Sequence, residues 1–408
     1  MTVRIDEIEV VNLRFEYPPG QGFTYAGGTA TGRLTTLVRV HTDGGRVGTG
    51  SAYTHPELAR VVIENQLAPY LRGTEVTDPT EAWQAMTRLF RWYGRAGAAV
   101  TALGAVDTAL WDLRAQEAGQ PLWRYLGGQE ASVPAYASAL LWRDDLDLLR
   151  QEAAQYLDDG FVRVKMRLGR CRDYDEAAFL AVHETVSGRG QLIVDGSLRF
   201  SDDDAAWLGG ILAAHGAVWF EEPFEPDNID AYVALRARTA VPLAAGESET
   251  SPRGLAELVR RRAVDIVQPD ASRAGGITSV LQVADVARGT GAKLATHTWS
   301  DAVAVLANAH VIASIPHGMT VEIDRTGNPF IDELLTEPLK VTGGRLQLPT
   351  SPGLGVRLDE SVVDRYRLAP GFVPDGNYSD MMFGPAPAPA TPYAAAWPHA
   401  RQAEVAPG

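Results

Sequence analysis

The chain has 408 residues, is 45% hydrophobic and 22% charged, and carries a formal net charge of −14. That length supports more than one domain and a large core, and the acidic balance excludes a basic nucleic-acid groove, though not an anionic small molecule held through a cation. A single cysteine, Cys171, excludes an internal disulfide and points to a reducing, cytoplasmic setting; no leader pattern is expected in MTVRIDEIEV, and no run of about 18 apolar residues suits a membrane.

The first region opens with strand-like runs at 5–13 and 34–41, the second turning at Asp43-Gly44-Gly45 into 47–52, which is hairpin chemistry. Between them, 17–32 is punctuated by Gly and Pro and carries Phe23 and Tyr25; it is expected to be a long mobile loop over a site. A helical pattern at 100–118 stops at Gly119 with Pro121 beyond. From about 130 to 340, eight short apolar runs alternate with helical segments: 133–139, 161–168, 191–197, 217–223, 242–248, 265–270, 293–299 and 319–324. Alternation implies βαβ units, and eight of them favour closure into a (β/α)₈-type barrel. Turns and short strands follow at 340–384. The Ala/Pro-rich stretch 385–408 is expected to be a disordered tail.

Asp195, Glu221, Glu247, Asp270, His297 and Glu322 each fall at or near the end of a run, at intervals of 26, 26, 23, 27 and 25 residues, one βα unit apiece. In such a barrel the carboxyl ends of the strands meet on one face, where active sites are built. Asp195, Glu221 and Glu247 on neighbouring strands would repel one another without a hard divalent cation, and three oxygen ligands suit Mg²⁺ best. Glu222 is expected to point elsewhere, since adjacent strand residues face opposite sides. The Asp270–His297 pair has the form of an oriented general base. Lys165 and Arg167 share a strand face and can bind a substrate carboxylate. Metal, cation and imidazole together suit removal of a proton α to a carboxylate, because they stabilise the charge that develops there.

These motifs resemble the enolase superfamily in its mandelate racemase-like branch: the helix from Thr101 through Trp111-Asp112, then Leu126-Gly127-Gly128, Phe220-Glu221-Glu222-Pro223, Gly246-Glu247, Gln268-Pro269-Asp270 with Gly275-Gly276, and Thr296-His297. The resemblance spans about 3–370. It implies a modified TIM barrel (129–340) with an α+β capping domain formed by 1–128 and completed by 341–384. It implies one Mg²⁺ per subunit on Asp195, Glu221 and Glu247, replaceable by Mn²⁺, an Asp270–His297 dyad, Glu322 beside the substrate carboxylate, and a homodimer or octamer. Two departures matter. Where the branch commonly has Lys-x-Lys, this chain has Lys165-x-Arg167, and arginine is a poor base. Ser197 stands where some acid-sugar dehydratases of the branch carry a histidine. The leading expectation is therefore an acid-sugar dehydratase giving a 2-keto-3-deoxy acid. A cycloisomerase acting on a sugar lactone or anhydro-sugar acid is the rival, a racemase or epimerase comes third, and a non-catalytic metal-binding protein last. Phe23, Tyr25, Tyr53, His55 and Trp299 are the candidates for specificity.

Overall fold

The computed structural model describes residues 4–25, 28–75, 78–369 and 381–383. Two bodies of structure meet along one broad face. The first is an antiparallel sheet of β1 (Ile5–Glu16), β2 (Phe23–Tyr25), β3 (Gly28–Thr42) and β4 (Val47–Ala52), with β3 at its centre. The second is a closed parallel barrel of β5 (Ser132–Ser138), β6 (Arg163–Arg167), β7 (Gln191–Asp195), β8 (Phe220–Glu221), β9 (Leu243–Ala245), β10 (Ile266–Val267), β11 (Lys293–Thr296) and β12 (Gly318–Asp324), in which β12 pairs back onto β5. Helices follow the strands and cover the outside, so the strands are buried on both faces and read as apolar runs.

The helix Ala98–Glu117 joins the two bodies. It is rich in Ala and almost wholly buried. A Cβ on its Gly104 would come within 2.5 Å of the Gly276 nitrogen, so glycine permits backbone-to-backbone packing there. Its Asp107 accepts from Thr278 N at 2.9 Å and Thr278 Oγ1 at 2.6 Å, at the N-terminus of the barrel helix Gly276–Thr290. The Asp107 oxygens satisfy free N–H groups at that helix end, while burial pushes the Asp107 pKa up to about 8 against the hydrogen bonds from Thr278.

The returning chain divides its contacts. The hairpin β13 (Val341–Thr342) and β14 (Arg345–Gln347) pairs with the barrel strand β5. Leu368 N–H bonds Asn12 O in β1, and β15 (Met381–Phe383) adds to the first sheet alongside β3. The stretch expected to be a loop, 17–32, is instead largely a hairpin: Phe23 to Tyr25 pair with Ala30 to Gly28. Glycine density masked a strand whose alternating aromatic and β-branched residues favour pairing. The tip at 26–27, and the tail expected at 385–408, lie outside the described residues.

Candidate active site

Strand register assembles the site. Arg167 at the end of β6 is paired with Asp195 at the end of β7, and Asp195 with Glu221 at the end of β8. Glu247 follows β9 after Gly246, whose φ of 133° no other residue readily adopts. Ligand-type oxygens of Asp195, Glu221 and Glu247 lie within 4.8 Å of one another. The loop backbone between them is strained, with positive φ at Ser197 (52°), Leu198 (64°) and Glu222 (33°), as is common where a site over-determines its surroundings. Ser197 supports Asp195 through its N–H (2.8 Å) and hydroxyl (3.2 Å). Glu222 stays out of the cluster: its carboxylate accepts from Gly246 N at 3.0 Å and from Ser248 N and Oγ at 3.1 and 2.5 Å, fixing the loop that carries Glu247.

Lys165 is fully buried. Its Nζ contacts Glu221 and lies 2.8 Å from Glu322, 3.5 Å from Asp195 and 3.6 Å from Glu247. Burial works against its charge, but these carboxylates raise its pKa well above the ordinary lysine value. Burial would raise Glu322, yet Lys165 and His297 hold it down at about 2. Arg167, 4% exposed, pairs with Asp195 at 2.6 Å and stacks 4.0 Å from the Trp299 ring centroid. Burial disfavours its charge too, and Asp195, Glu247 and Glu322 override it, so the guanidinium stays protonated. Arg167 Nε and Nη2 and Trp299 Nε1 are buried with no hydrogen-bond partner among the described residues.

Across from these cations, His297 Nδ1 sits 2.9 Å from Asp270 Oδ2. The other oxygen of Asp270 accepts from Ser272 N (2.8 Å), Ser272 Oγ (2.7 Å) and Asn308 Nδ2 (2.9 Å), so the carboxylate is locked in place. The pairing makes Nδ1 the donor and leaves Nε2 to face the pocket. Burial lowers the His297 pKa, but Glu247, Glu322 and the Asp270 contact outweigh it and push it up to about 9; a divalent ion on the carboxylates would offset their charge and let the ring lose this proton and act as a base.

The donor set fits a hard divalent cation. Asp195, Glu221, Glu247 and Glu322 crowd around the buried cations Lys165 and Arg167, a concentration of oxygen donors that a hard cation would stabilise. Burial pushes Glu221 well above the usual carboxylate range; Lys165 opposes that and Glu247 and Asp195 add to it. Glu247 Oε2 accepts no hydrogen bond among the described residues. Three carboxylate oxygens within 4.8 Å of one another are close enough to converge on a single small cation with metal–oxygen distances of about 2.1 Å after slight adjustment. Glu247, His297 and Glu322 also cluster. That set shares Glu247, would occupy His297 Nε2, the nitrogen that faces the pocket, and suits a hard ion less than three carboxylates do.

A pocket of about 230 Å³ opens onto these groups, lined by Arg167, Glu247 and His297 and walled by Tyr25, Tyr53 and Trp299. Phe23 stacks on Trp299 at 6.0 Å, behind that wall. His55 is not brought to the lining; its Nδ1 accepts from Glu57 N–H and caps the helix Pro56–Val62. Sequence reasoning missed Arg273, three residues past Asp270, and Met381, which arrives from the far end of the chain; both line the pocket. A basic residue so close to a motif acid was a usable signal for Arg273, whereas nothing local marks Met381.

Family models match nearly end to end: residues 8–127 match the mandelate racemase / muconate lactonizing enzyme N-terminal domain, and 148–362 the enolase C-terminal domain-like family. The chain belongs to the enolase superfamily, in its mandelate racemase branch. Within that superfamily it is 30% identical to the D-galactarolactone cycloisomerase of Agrobacterium fabrum, over 82% of this chain and 92% of that one. It is also 30% identical to the arabinonate dehydratase of Saccharolobus solfataricus, over 80% and 89%. The L-talarate dehydratase structure from Polaromonas sp. JS666, solved with Mg and L-glucarate, superposes with a TM-score of 0.82 at 27% identity, covering 90% of this chain and 98% of that one. These relatives are dehydratases and a cycloisomerase, which supports an enolase superfamily enzyme of lyase or isomerase type. Among the described residues, no helix is long and apolar enough to cross a membrane.

Proposed function

We propose that the protein dehydrates an acid sugar to a 2-keto-3-deoxy acid. The observation that carries this reading is the His297–Asp270 dyad facing Lys165 and Arg167 across a small pocket beside three clustered carboxylates. In this reading Asp195, Glu221 and Glu247 hold one Mg²⁺ per subunit, with Mn²⁺ able to replace it. When bound, the cation draws charge from the substrate carboxylate and so acidifies the neighbouring C–H.

His297 Nε2 takes the proton from the α-carbon while Asp270 steadies the imidazolium that forms. Lys165, held charged beside Glu322, meets the developing negative charge on the carboxylate. The electron pair left on the α-carbon then forms the double bond to the β-carbon as the β C–O bond breaks. The departing hydroxide takes the His297 proton and leaves as water, which returns His297 to its neutral form, and the enol product tautomerises to the ketone. Arg167, protonated and with two unpartnered nitrogens, binds substrate oxygens and supplies no second base. Chemistry is then confined to one face of the substrate, which disfavours racemisation.

The second reading is a cycloisomerase, in which a ring oxygen is the β-leaving group; the similarity to D-galactarolactone cycloisomerase favours it. The same proposal treats 1–128 with 341–384 as capping domain and 129–340 as barrel. It places the enzyme in the cytoplasm, in keeping with one cysteine, as a dimer or octamer. Screening acid sugars and lactones with Mg²⁺ in D₂O tests it. Water loss, with any α-proton exchange confined to one face, supports dehydration; ring opening without water loss supports the second reading; and neither product nor exchange on any acid sugar or lactone refutes both.

A further inference from the structure

One side chain outside the pocket holds its aromatic wall together. Arg33, on the central strand β3, is 1% exposed. Its Nη2 donates to Asp324 Oδ2 at 2.8 Å and to Thr326 Oγ1, just past the barrel strand that carries Glu322. Its Nε donates to Tyr17 OH at 3.0 Å, and Nη1 to Met381 Sδ at 3.2 Å. The guanidinium carbon lies 4.8 Å from the Phe23 centroid and 5.2 Å from that of Trp299. Trp299 in turn covers Arg167 at 4.0 Å. Thus one fork joins the hairpin, the end of β12, the loop after His297 and the returning strand β15. Among the described residues, Tyr25, Trp299 and Met381, one pocket-lining residue from each of three of these segments, have no backbone bond to one another. Thr35, two residues along the same face of β3, bonds Asp301 at 2.5 Å, so the loop carrying Trp299 is anchored to this sheet twice.

We infer that Arg33 is a positioning residue that fixes the wall formed by Tyr25, Trp299 and Met381, and through it sets which acid sugars the pocket accepts. A planar guanidinium can hydrogen-bond in its plane and stack across its faces at once, and lysine cannot. A buried ion pair adds little net stability compared with an apolar replacement, so geometric specification is the role it fits best. The cavity of about 230 Å³ lies below the roughly 300 Å³ at which drug-sized sites begin, so a small shift of the wall changes what fits. The statement about substrates rests on the acid-sugar reading above; the statement about positioning does not.

The test compares Arg33→Met, Arg33→Lys and Tyr17→Phe with the wild type in two readouts. Hydrogen exchange should show lost protection confined to the hairpin and to the loop after His297, with the helix Ala98–Glu117 unchanged. Kinetics on the best substrate should show KM rising at least tenfold for Arg33→Met with kcat within threefold, Mg²⁺ affinity unchanged, and discrimination between five- and six-carbon acids reduced. Arg33→Lys should recover only part of this, and Tyr17→Phe should shift KM in the same direction by less. If Arg33→Met does not fold, the other two variants decide by the same criteria. Uniform loss of protection, unchanged KM and substrate ranking, or full recovery in Arg33→Lys overturns the inference. If the wild type turns over no acid sugar, the substrate reading fails and the exchange pattern alone decides whether Arg33 positions the wall.

Discussion

Replacing Asp270 with asparagine tests the dyad at its most constrained point. The Asp270 oxygen that faces away from His297 receives three donors, from Ser272 N, Ser272 Oγ and Asn308 Nδ2. An asparagine that turned its NH₂ toward them would set donors against donors in a fully buried site, at about 1–3 kcal/mol for each group left unsatisfied. The amide oxygen therefore keeps that side, and the NH₂ faces His297 Nδ1 at the former 2.9 Å contact. Nδ1 must then accept, which moves the neutral ring's proton to Nε2, the nitrogen that has to take the substrate proton. General-base catalysis contributes about 10²–10⁴ in rate, so kcat should fall by about that factor, or about 3–5 kcal/mol in the barrier. The assay is kcat together with α-proton exchange in D₂O, with Mg²⁺ affinity from calorimetry as a control that should not move. A folded Asp270→Asn variant within threefold of wild-type kcat would refute the assignment of His297 as an Asp270-oriented base.

Chelation should abolish activity, with recovery on Mg²⁺ or Mn²⁺, and Mg²⁺ at a hundred times its Kd should stabilise the fold by about 2.7 kcal/mol in denaturant titrations; full activity in excess chelator would remove the metal from the mechanism. Glu221→Gln should weaken Mg²⁺ binding markedly by calorimetry, since it deletes one of three anionic ligands. Arg167→Met should raise KM and keep single-face exchange, whereas Arg167→Lys introduces a group that can lose its proton and gains exchange on the opposite face; persistent exchange in His297→Asn would show that Arg167 or Lys165 acts as a base. Stability should also fall in acid through His310, whose Nδ1 accepts from Trp123 N (2.9 Å) and whose Nε2 donates to Leu354 O (3.0 Å), a neutral ring that burial holds down at about 4. A lowered histidine pKa contributes stability above about 6.5 that is lost as pH drops towards 4, so unfolding free energy at pH 4.5 should be about 2–3 kcal/mol below that at pH 7.5 from this group; an equal acid slope in folded His310→Gln would refute it.

Much of the barrel was legible because its period and its chemistry coincide. Each strand is buried on both faces, so it reads as a short apolar run, and the acid or histidine that ends it falls where the chain leaves the core. The spacing from Asp195 to Glu322 therefore predicts both closure and convergence, and the register pairs Arg167 with Asp195 and Asp195 with Glu221. The hairpin at 23–30 was not legible in the same way. Gly20, Gly22, Gly27 and Gly28 look like loop punctuation. Yet a Cβ on Gly22 would sit 2.3 Å from Ala30 O, so at least this glycine serves close strand approach rather than freedom. His55 takes a local role for a related reason: a polar side chain just before a Pro-led helix satisfies the helix's own N–H groups.

What remained hidden is the part of the site that no single segment encodes. The acids and the histidine sit at the ends of adjacent strands, so their order in sequence is their order in space. The wall of the pocket is made by residues as far apart as Tyr25 and Met381, and Arg33, which bonds Met381 and lies against Phe23 and Trp299, is 291 residues from the aspartate it pairs with. In a family whose barrel chemistry is shared by dehydratases and cycloisomerases, that separation lets specificity change without disturbing catalysis: a substitution in β3 or β15 reshapes the wall while Asp195, Glu221 and Glu247 keep their strand-fixed spacing. It follows that the sequence positions most informative about the substrate of this enzyme lie outside the motifs that identify it, and that Arg33, Tyr25 and Met381 are the first places to read them.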